Sequence, residues 1–403
     1  MKNVYIVEAK RTPIGSFLGS LKDYTAADLM AVLIADLKQT QPELFDLVDE
    51  VIVGHVLSAN QGQGVSRQAA LRAGLPESVC AYSVNMVCGS GLKAIANAWM
   101  SILSGQAHVV LAGGVEVMSQ TPYYMPARIR NGAKMGSFSS VDGLLQDGLL
   151  DGFDHQHMGI TAERVSQLYG IDRLSQDEFA LESQRRANQA LEDHQFQDEI
   201  VAVPLKESKT ETMFDQDEYP RKNSTLERLS KLRSSFQDSG TVTAGNSSGI
   251  NDGASLVSVV SEDSVKKYHL TPMVRIVGYT QAGVDPAIMG IAPVPAIIAL
   301  LEKYHLSLDD IGLFELNEAF SAQSLAVIQE LAKNFHTDKK KLMDRINING
   351  GAIALGHPIG ASGNRIVVSL THAMKKHNVR YGIASLCIGG GMAIAMLLEN
   401  AEG

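Results

Sequence analysis

The sequence predicts an α/β fold built from two similar halves, with a further body inserted into the first. Three observations predict it. Short apolar runs alternate with helix-spaced patterns near both ends of the chain, as in strands laid between helices in a largely parallel sheet. A segment repeats: Cys88-Gly89-Ser90-Gly91 aligns with Gly360-Ala361-Ser362-Gly363, and helical spacing follows both, through Leu92, Ile95, Ala96, Trp99, Ile102 and Leu103 in one and Ile366, Val367, Leu370 and Met374 in the other. Each copy then reaches a strand at the same offset, Val109 to Ala112 and Tyr381 to Ala384, which is the element order a duplicated half shows. Finally, the regular pattern breaks at Thr121 and resumes near residue 250, too long a stretch for a structureless loop. At 403 residues and 45% hydrophobic, the chain exceeds one ordinary domain.

In order, Val4 to Val7 reads as a strand, and Lys10 to Gly15 as an ordinary loop. Thr25 is placed to cap a helix through Ala26, Leu29, Met30, Leu33 and Leu37. Val51 to Val56 is a second apolar strand, and a glycine loop at Gln61 to Gly64 leads into a short helix from Val65 to Ala73. Tyr82-Ser83-Val84 brings the chain to Cys88. In the insertion, His157 opens a helical stretch that continues through Leu191, and a charged linker runs from about 205 to 225. A basic cluster follows, Arg221, Lys222, Arg228, Lys231 and Arg233, which is either a solvated face or a contact for a nucleotide phosphate. The small residues from Gly240 to Gly253 let a ligand approach the main chain. In the last part, Phe314 to Leu316 is a short strand that ends at Asn317-Glu318-Ala319-Phe320, where a helix starts and Asn317 can cap it.

The net charge of −9 argues against nucleic acid as a bulk partner. The three cysteines, Cys80, Cys88 and Cys387, form no close metal pair and no disulfide framework, and their odd number fits a reducing compartment. No signal peptide is evident before the first strand, and no apolar run is long enough to span a membrane, so the cytoplasm is the expected location.

Cys88 belongs at the N-terminus of a buried helix, beside strand ends. Free N–H groups and the helix dipole there favour a thiolate, so the expected nucleophile is ready near neutral pH. Cys80 carries no motif and reads as a core residue.

Four segments then fall into a known order: Asn85-Met86-Val87-Cys88-Gly89-Ser90-Gly91, Asn317-Glu318-Ala319-Phe320, Gly356-His357-Pro358-Ile359-Gly360-Ala361-Ser362-Gly363 and Cys387-Ile388-Gly389-Gly390-Gly391. Together they resemble the thiolases, in particular the biosynthetic branch, over essentially the whole length. The resemblance implies a five-layer α-β-α-β-α core of two thiolase halves. It divides the chain into the first part of the N-terminal half at 1–119, a loop domain that holds coenzyme A at 120–250, the return of the N-terminal half at 251–272, and the C-terminal half at 273–403. It implies acetyl-CoA C-acetyltransferase activity, a homotetramer built as a dimer of dimers, and no permanently bound cofactor or metal, with coenzyme A and acetyl-CoA as substrates.

By the same resemblance Cys88 is the acyl-accepting nucleophile, His357 takes its proton, and Cys387 is the second acid/base. Asn317, through a bound water, and His357 form one oxyanion site; the main-chain N–H groups of Cys88 and Gly389 form the other. For coenzyme A it points to His157, Met158, Arg221, Phe236, Ala244, Ser248, Ile250, Met289, Ala319 and Phe320. Arg221 belongs near the nucleotide end and Ser248 near the pantetheine amides, while His157, Met158, Met289 and Phe320 surround the pantetheine and acyl end. Ile250 replaces a more usual Leu. Three alternatives stand beside this reading. A degradative 3-ketoacyl-CoA thiolase of broader chain length shares every catalytic residue. A condensing enzyme of fatty-acid synthesis is disfavoured by Cys387. A non-enzymatic coenzyme A-binding scaffold would need one of these groups to be absent.

Overall fold

The computed structural model describes residues 2–205 and 212–401; within the charged linker, 206–211 lie outside the described residues. The first half contributes strands β1 (Val4–Arg11), β2 (Glu50–Gly54), β3 (Cys80–Val84), β4 (Val109–Val117) and β5 (Asn251–Ser261). Its helices are α1 (Ala26–Thr40), α2 (Val65–Arg72) and α3 (Ser90–Leu103), and the insertion adds α4 (Met158–Tyr169) and α5 (Arg173–Glu192). The second half contributes β6 (Val274–Gly283), α6 (Pro293–Tyr304), β7 (Leu313–Leu316), α7 (Ser321–Asn334), α8 (Ile359–Lys376), β8 (Tyr381–Ile388) and β9 (Met392–Asn400).

These strands run in the order β7-β8-β9-β6-β1-β5-β4-β2-β3, and Gly15–Ser16 adds a tenth against β5. The expectation of a largely parallel sheet is corrected. Only β7–β8, β2–β3 and β2–β4 pair in parallel, while β1–β5, β4–β5, β1–β6, β6–β9 and β8–β9 are antiparallel. β5 returns from the insertion against β4, and β9 folds back on β8 across three glycines. A strand buried on both faces is apolar throughout, so its residues do not reveal its direction.

β1 and β6 meet at only two residue pairs, Tyr5 with Arg275 and Ile6 with Val274. There the sheet folds, and α3 and α8 lie between its two halves, packed on each other. One core lies under α1 and α2, a second surrounds α3 and α8, and a third lies under α6 and α7, which gives five alternating layers. α8 is buried almost all round, as a central-layer helix must be. Each fully buried Ile, Val or Leu in these layers contributes about 1.5–3 kcal/mol.

Locally, Thr25 caps α1 as the sequence predicts, accepting the Asp28 N–H at 3.1 Å. The single helical stretch from His157 through Leu191 is two helices, because Gly170 turns left-handed (φ +65°) and Asp172 caps a new start by accepting the Ser175 N–H at 2.7 Å. Those helices do not keep a core of their own: α4 and α5 pack on α7 and on the short helix Ala352–Leu355.

The segment read as an ordinary loop holds a buried ion network. Arg11 is fully buried between Glu199 at 2.5 Å and Asp217 at 2.7 Å, and lies over the Phe196 ring, so it ties the insertion to β1. Cys80 is corrected as well. It is exposed, because β3 is the last strand of the sheet and its outer edge is open.

Candidate active site

Four elements end at one level. β7 and β8 lie parallel and finish side by side, leading to Asn317 and Cys387, while α3 and α8 begin just after Cys88 and His357. Side chains bend the chain before Cys88. Asn85 Oδ1 accepts the Val87 N–H at 3.0 Å; Ser90 Oγ accepts the Met86 N–H at 2.8 Å and donates to the Val87 carbonyl at 2.6 Å. This holds Val87, a β-branched residue, at φ +48°, a strain of about 1–3 kcal/mol that the surrounding bonds sustain.

His357 follows Gly356, whose φ of +105° favours glycine. Its main-chain N–H donates to Asn251 Oδ1 at 3.0 Å. Its ring Nδ1 lies 2.6 Å from Ser362 Oγ, and that hydroxyl donates its hydrogen to the Pro358 carbonyl at 2.9 Å. The hydroxyl therefore accepts from Nδ1–H, and Nε2 carries the free lone pair of a base. Burial, with Arg365 adding to it, holds the imidazole down at about 4.

The expected low thiol pKa of Cys88 is corrected. The main-chain N–H groups of Gly389 and of Cys88 itself face the sulfur and favour the thiolate, but desolvation outweighs them and pushes the thiol up to about 11. At rest the pair is therefore a neutral thiol and a neutral imidazole. Cys387 is 1% exposed, and burial first, then the Cys88 sulfur whenever it ionises, raises its thiol further. Asn317 does not cap α7, whose N-cap is Phe320. Its main-chain N–H donates to the Ser385 carbonyl at 3.0 Å, and its side chain is buried, with Nδ2 making no hydrogen bond among the described residues.

Cys88, His357 and Gly389 line one cavity of about 370 Å³. The same cavity is lined by His157, Met158, Arg221, Phe236, Ala244, Ser248, Ile250, Met289, Ala319 and Phe320, the full set expected to hold coenzyme A. Cys387 and Asn317 are not among its lining residues; Cys387 packs among the lining residues Met289, Ala319 and Phe320. The wall is aromatic where α4 begins: His157 stacks on Phe236 with ring centroids 4.6 Å apart, and Phe320 meets Phe236 edge-on. A β-carbon on Gly159 would overlap Phe236, so the missing side chain admits the ring. Of the basic cluster, only Arg221 lines the cavity.

The arrangement matches known proteins along its whole length. The thiolase N-terminal domain model matches residues 4–263 and the thiolase C-terminal domain model residues 270–400. The chain belongs to the thiolase family. It is 50% identical over 400 residues to an acetyl-CoA acetyltransferase of Escherichia coli (strain K12), covering 99% of this chain and 100% of that one. A crystal structure of the Bacillus anthracis acetyl-CoA acetyltransferase superposes with a TM-score of 0.93 at 44% identity, covering 99% of each chain. The human mitochondrial 3-ketoacyl-CoA thiolase in complex with CoA superposes with a TM-score of 0.91 at 41% identity, over 99% of this chain and 98% of that one.

This thiolase also contains site residues that the sequence did not single out. Tyr219, Met118, Leu149 and Ile359 line the cavity. Glu116, fully buried at the end of β4, accepts the N–H groups of Val56, Leu57 and Gly360 at 3.0–3.1 Å, and so ties the start of α8 to the first half. Burial pushes its carboxyl up to about 8. The signal that would have found Glu116 is an ionisable residue inside an unbroken apolar run.

Proposed function

We propose that this thiolase is an acetyl-CoA C-acetyltransferase that condenses two acetyl-CoA reversibly to acetoacetyl-CoA and coenzyme A. The observation that carries the reading is the joining of Cys88, His357 and the Gly389 N–H to the ten expected coenzyme A contacts around one cavity.

In this reading His357 Nε2 takes the Cys88 proton as the sulfur attacks the thioester carbonyl, a division of labour suited to a thiol that burial keeps protonated. The N–H groups of Cys88 and Gly389 face the sulfur and stabilise the tetrahedral oxyanion. The C–S bond of acetyl-CoA breaks, Cys387 gives its proton to the leaving coenzyme A sulfur, and acetyl-Cys88 remains with an imidazolium and a Cys387 thiolate. That thiolate removes a methyl proton from the second acetyl-CoA. Its buried setting makes it a strong base, as so weak a carbon acid requires. The enolate oxygen is stabilised by His357 and, through a water, by Asn317. The carbanion attacks the acetyl group, and imidazolium returns its proton to the Cys88 sulfur, which restores the starting state.

Residues 120–250 hold coenzyme A in this reading, with Arg221 at the nucleotide end. The protein assembles as a homotetramer. Two surfaces support assembly: the open edge of β3, where Tyr82 is exposed, and the arm around Tyr123–Tyr124 and Val141–Asp142, which exposes Tyr123, Met125 and Met135. Among the described residues no helix is long and apolar enough to cross a membrane, and the cytoplasm is the proposed location.

The test is to incubate the protein with radiolabelled acetyl-CoA, quench it with acid and map the label. Label on Cys88 in the wild type, with none on Cys88→Ala that still binds coenzyme A, is the expected outcome. A folded protein that takes no label would leave only the coenzyme A-binding scaffold.

A further inference from the structure

We propose that Arg365 is the positioning residue for Asn317, holding its amide so that the nitrogen end faces the reacting atoms. The inference rests on the acetyltransferase reading of the site.

Glu315 and Asn317 lie two residues apart at the end of β7, on the same face of the strand. The guanidinium of Arg365, 2% exposed on α8, lies against that face. Its Nη1 donates to Glu315 Oε2 at 3.2 Å, and its Nη2 donates to Asn317 Oδ1 at 3.5 Å. A guanidinium has donors only, so the amide end beside it has to be the carbonyl. The opposite end, Nδ2, is thereby fixed as a buried donor with no hydrogen-bond partner among the described residues. Neighbouring contacts hold the strand but not the amide. The Asn317 main-chain N–H goes to Ser385, and the Leu316 main chain is held on both sides by the Asn347 side chain. Without Arg365 the amide is free to turn about its last bond. An oxygen would then face the bridging water, take one of its hydrogens instead of donating to its lone pair, and leave it a poorer donor to the developing oxyanion.

The anchor is itself anchored. Glu315 holds one nitrogen of the fork, and Ser369, one turn further along α8, bonds Glu199 at 3.3 Å. Glu199 also pairs with Arg11. Glu199 thus ties α8 to the insertion one turn past Arg365, and Arg365 ties the same helix to the end of β7 without lining the cavity.

The experiment is steady-state thiolysis of acetoacetyl-CoA with the full-length protein carrying Arg365→Gln, Arg365→Lys, Asn317→Ala, or Asn317→Ala with Arg365→Gln. Losing an oxyanion donor lowers kcat by about a hundredfold or more, and the expectation for Arg365→Gln is a loss of that order in kcat with KM unchanged. Arg365→Lys, also a pure donor, recovers part of it. In the Asn317→Ala background Arg365→Gln adds nothing, because residues that act as one unit are not additive. Full additivity of the two losses, or a rise in KM at constant kcat, would overturn the proposal. If Arg365→Gln does not fold, Glu315→Gln with Arg365→Gln removes both buried charges and carries the same comparison. If Asn317→Ala alone leaves kcat unchanged, the assignment of the oxyanion site fails, an outcome distinct from failure of the Arg365 inference.

Discussion

Gly91 on α3 and Gly363 on α8 are reciprocal contacts. A β-carbon on Gly91 would stand 2.7 Å from the Asn364 nitrogen and 2.9 Å from the Gly360 carbonyl oxygen. One on Gly363 would stand 2.7 Å from the Leu92 nitrogen and 3.3 Å from the Cys88 carbonyl oxygen. In the sequence repeat Leu92 aligns with Asn364 and Cys88 with Gly360, so each glycine meets the counterparts of the other's neighbours. The two helices cross about a local twofold axis at their first turns. That crossing brings the residues just before them, Cys88 and His357, to one cavity.

Gly91→Ala therefore forces a methyl group against main-chain atoms that no rotamer change can move. Overpacking of this kind costs about 1–3 kcal/mol. The helix starts separate, so kcat falls along with the urea midpoint. Gly152→Ala is the control, since a β-carbon there has nothing within 4 Å. Equal effects of the two substitutions on midpoint and kcat would show that the crossing does not set the site.

Much of this was legible from the residues, for identifiable reasons. Ser-Gly pairs near two helix starts are followed by strands at equal offsets, so the two halves could be aligned before any contact was known. The residues expected around coenzyme A rested on likeness to the thiolases, and each of them lines the cavity. Strand direction was not legible, because β4 and β5 are buried on both faces. Arg11 and its partners Glu199 and Asp217 are separated by about two hundred residues, beyond any local pattern. The proton affinity of Cys88 was misjudged because two N–H groups and desolvation oppose each other, and sequence displays only the helix start. Cys80 was placed inside because a strand's position at the edge of a sheet is a property of its neighbours.

The pH dependence of kcat/KM follows from His357. A base must be neutral to accept the Cys88 proton, and burial holds this imidazole down at about 4. The ring is therefore already neutral throughout the ordinary imidazole range near 6.5. The acid limb for acetoacetyl-CoA cleavage is expected well below pH 6, towards the lowered value. A limb centred near 6.5 would mean that the site is wetter than the buried ring implies.

Cys387→Ala separates the two half-reactions. Cys88, His357 and the Gly389 N–H all remain, so acetyl-Cys88 still forms, though more slowly for want of the proton that Cys387 gives to the leaving sulfur. Removal of the methyl proton from the second acetyl-CoA has no base and stops. Rapid-quench labelling with acetyl-CoA should show bound acetyl without acetoacetyl-CoA. Normal condensation by this variant would remove Cys387 from its assigned step.

The prediction for chain length rests on Met158. Its side chain lines the coenzyme A cavity and also a second cavity of about 500 Å³, and the two share Val87, Gly148, Met158 and Gly389. In the acetyltransferase reading, an acyl chain longer than acetyl, starting from Cys88, is expected to meet this wall. An apolar wall discriminates by about 1–3 kcal/mol, or roughly 10–200-fold. The intact protein is expected to cleave acetoacetyl-CoA with a higher kcat/KM than a long-chain 3-ketoacyl-CoA. Met158→Ala opens one cavity to the other, and the preference is expected to shrink by about tenfold, chiefly through gain on the long chain. Met289, buried in the same apolar cluster as Phe320, lines the coenzyme A cavity but not the second one, which makes Met289→Ala the comparison, since it enlarges the site without joining the cavities. An intact protein that already uses the long chain as well as acetoacetyl-CoA would keep every catalytic assignment and move the chain to the degradative branch.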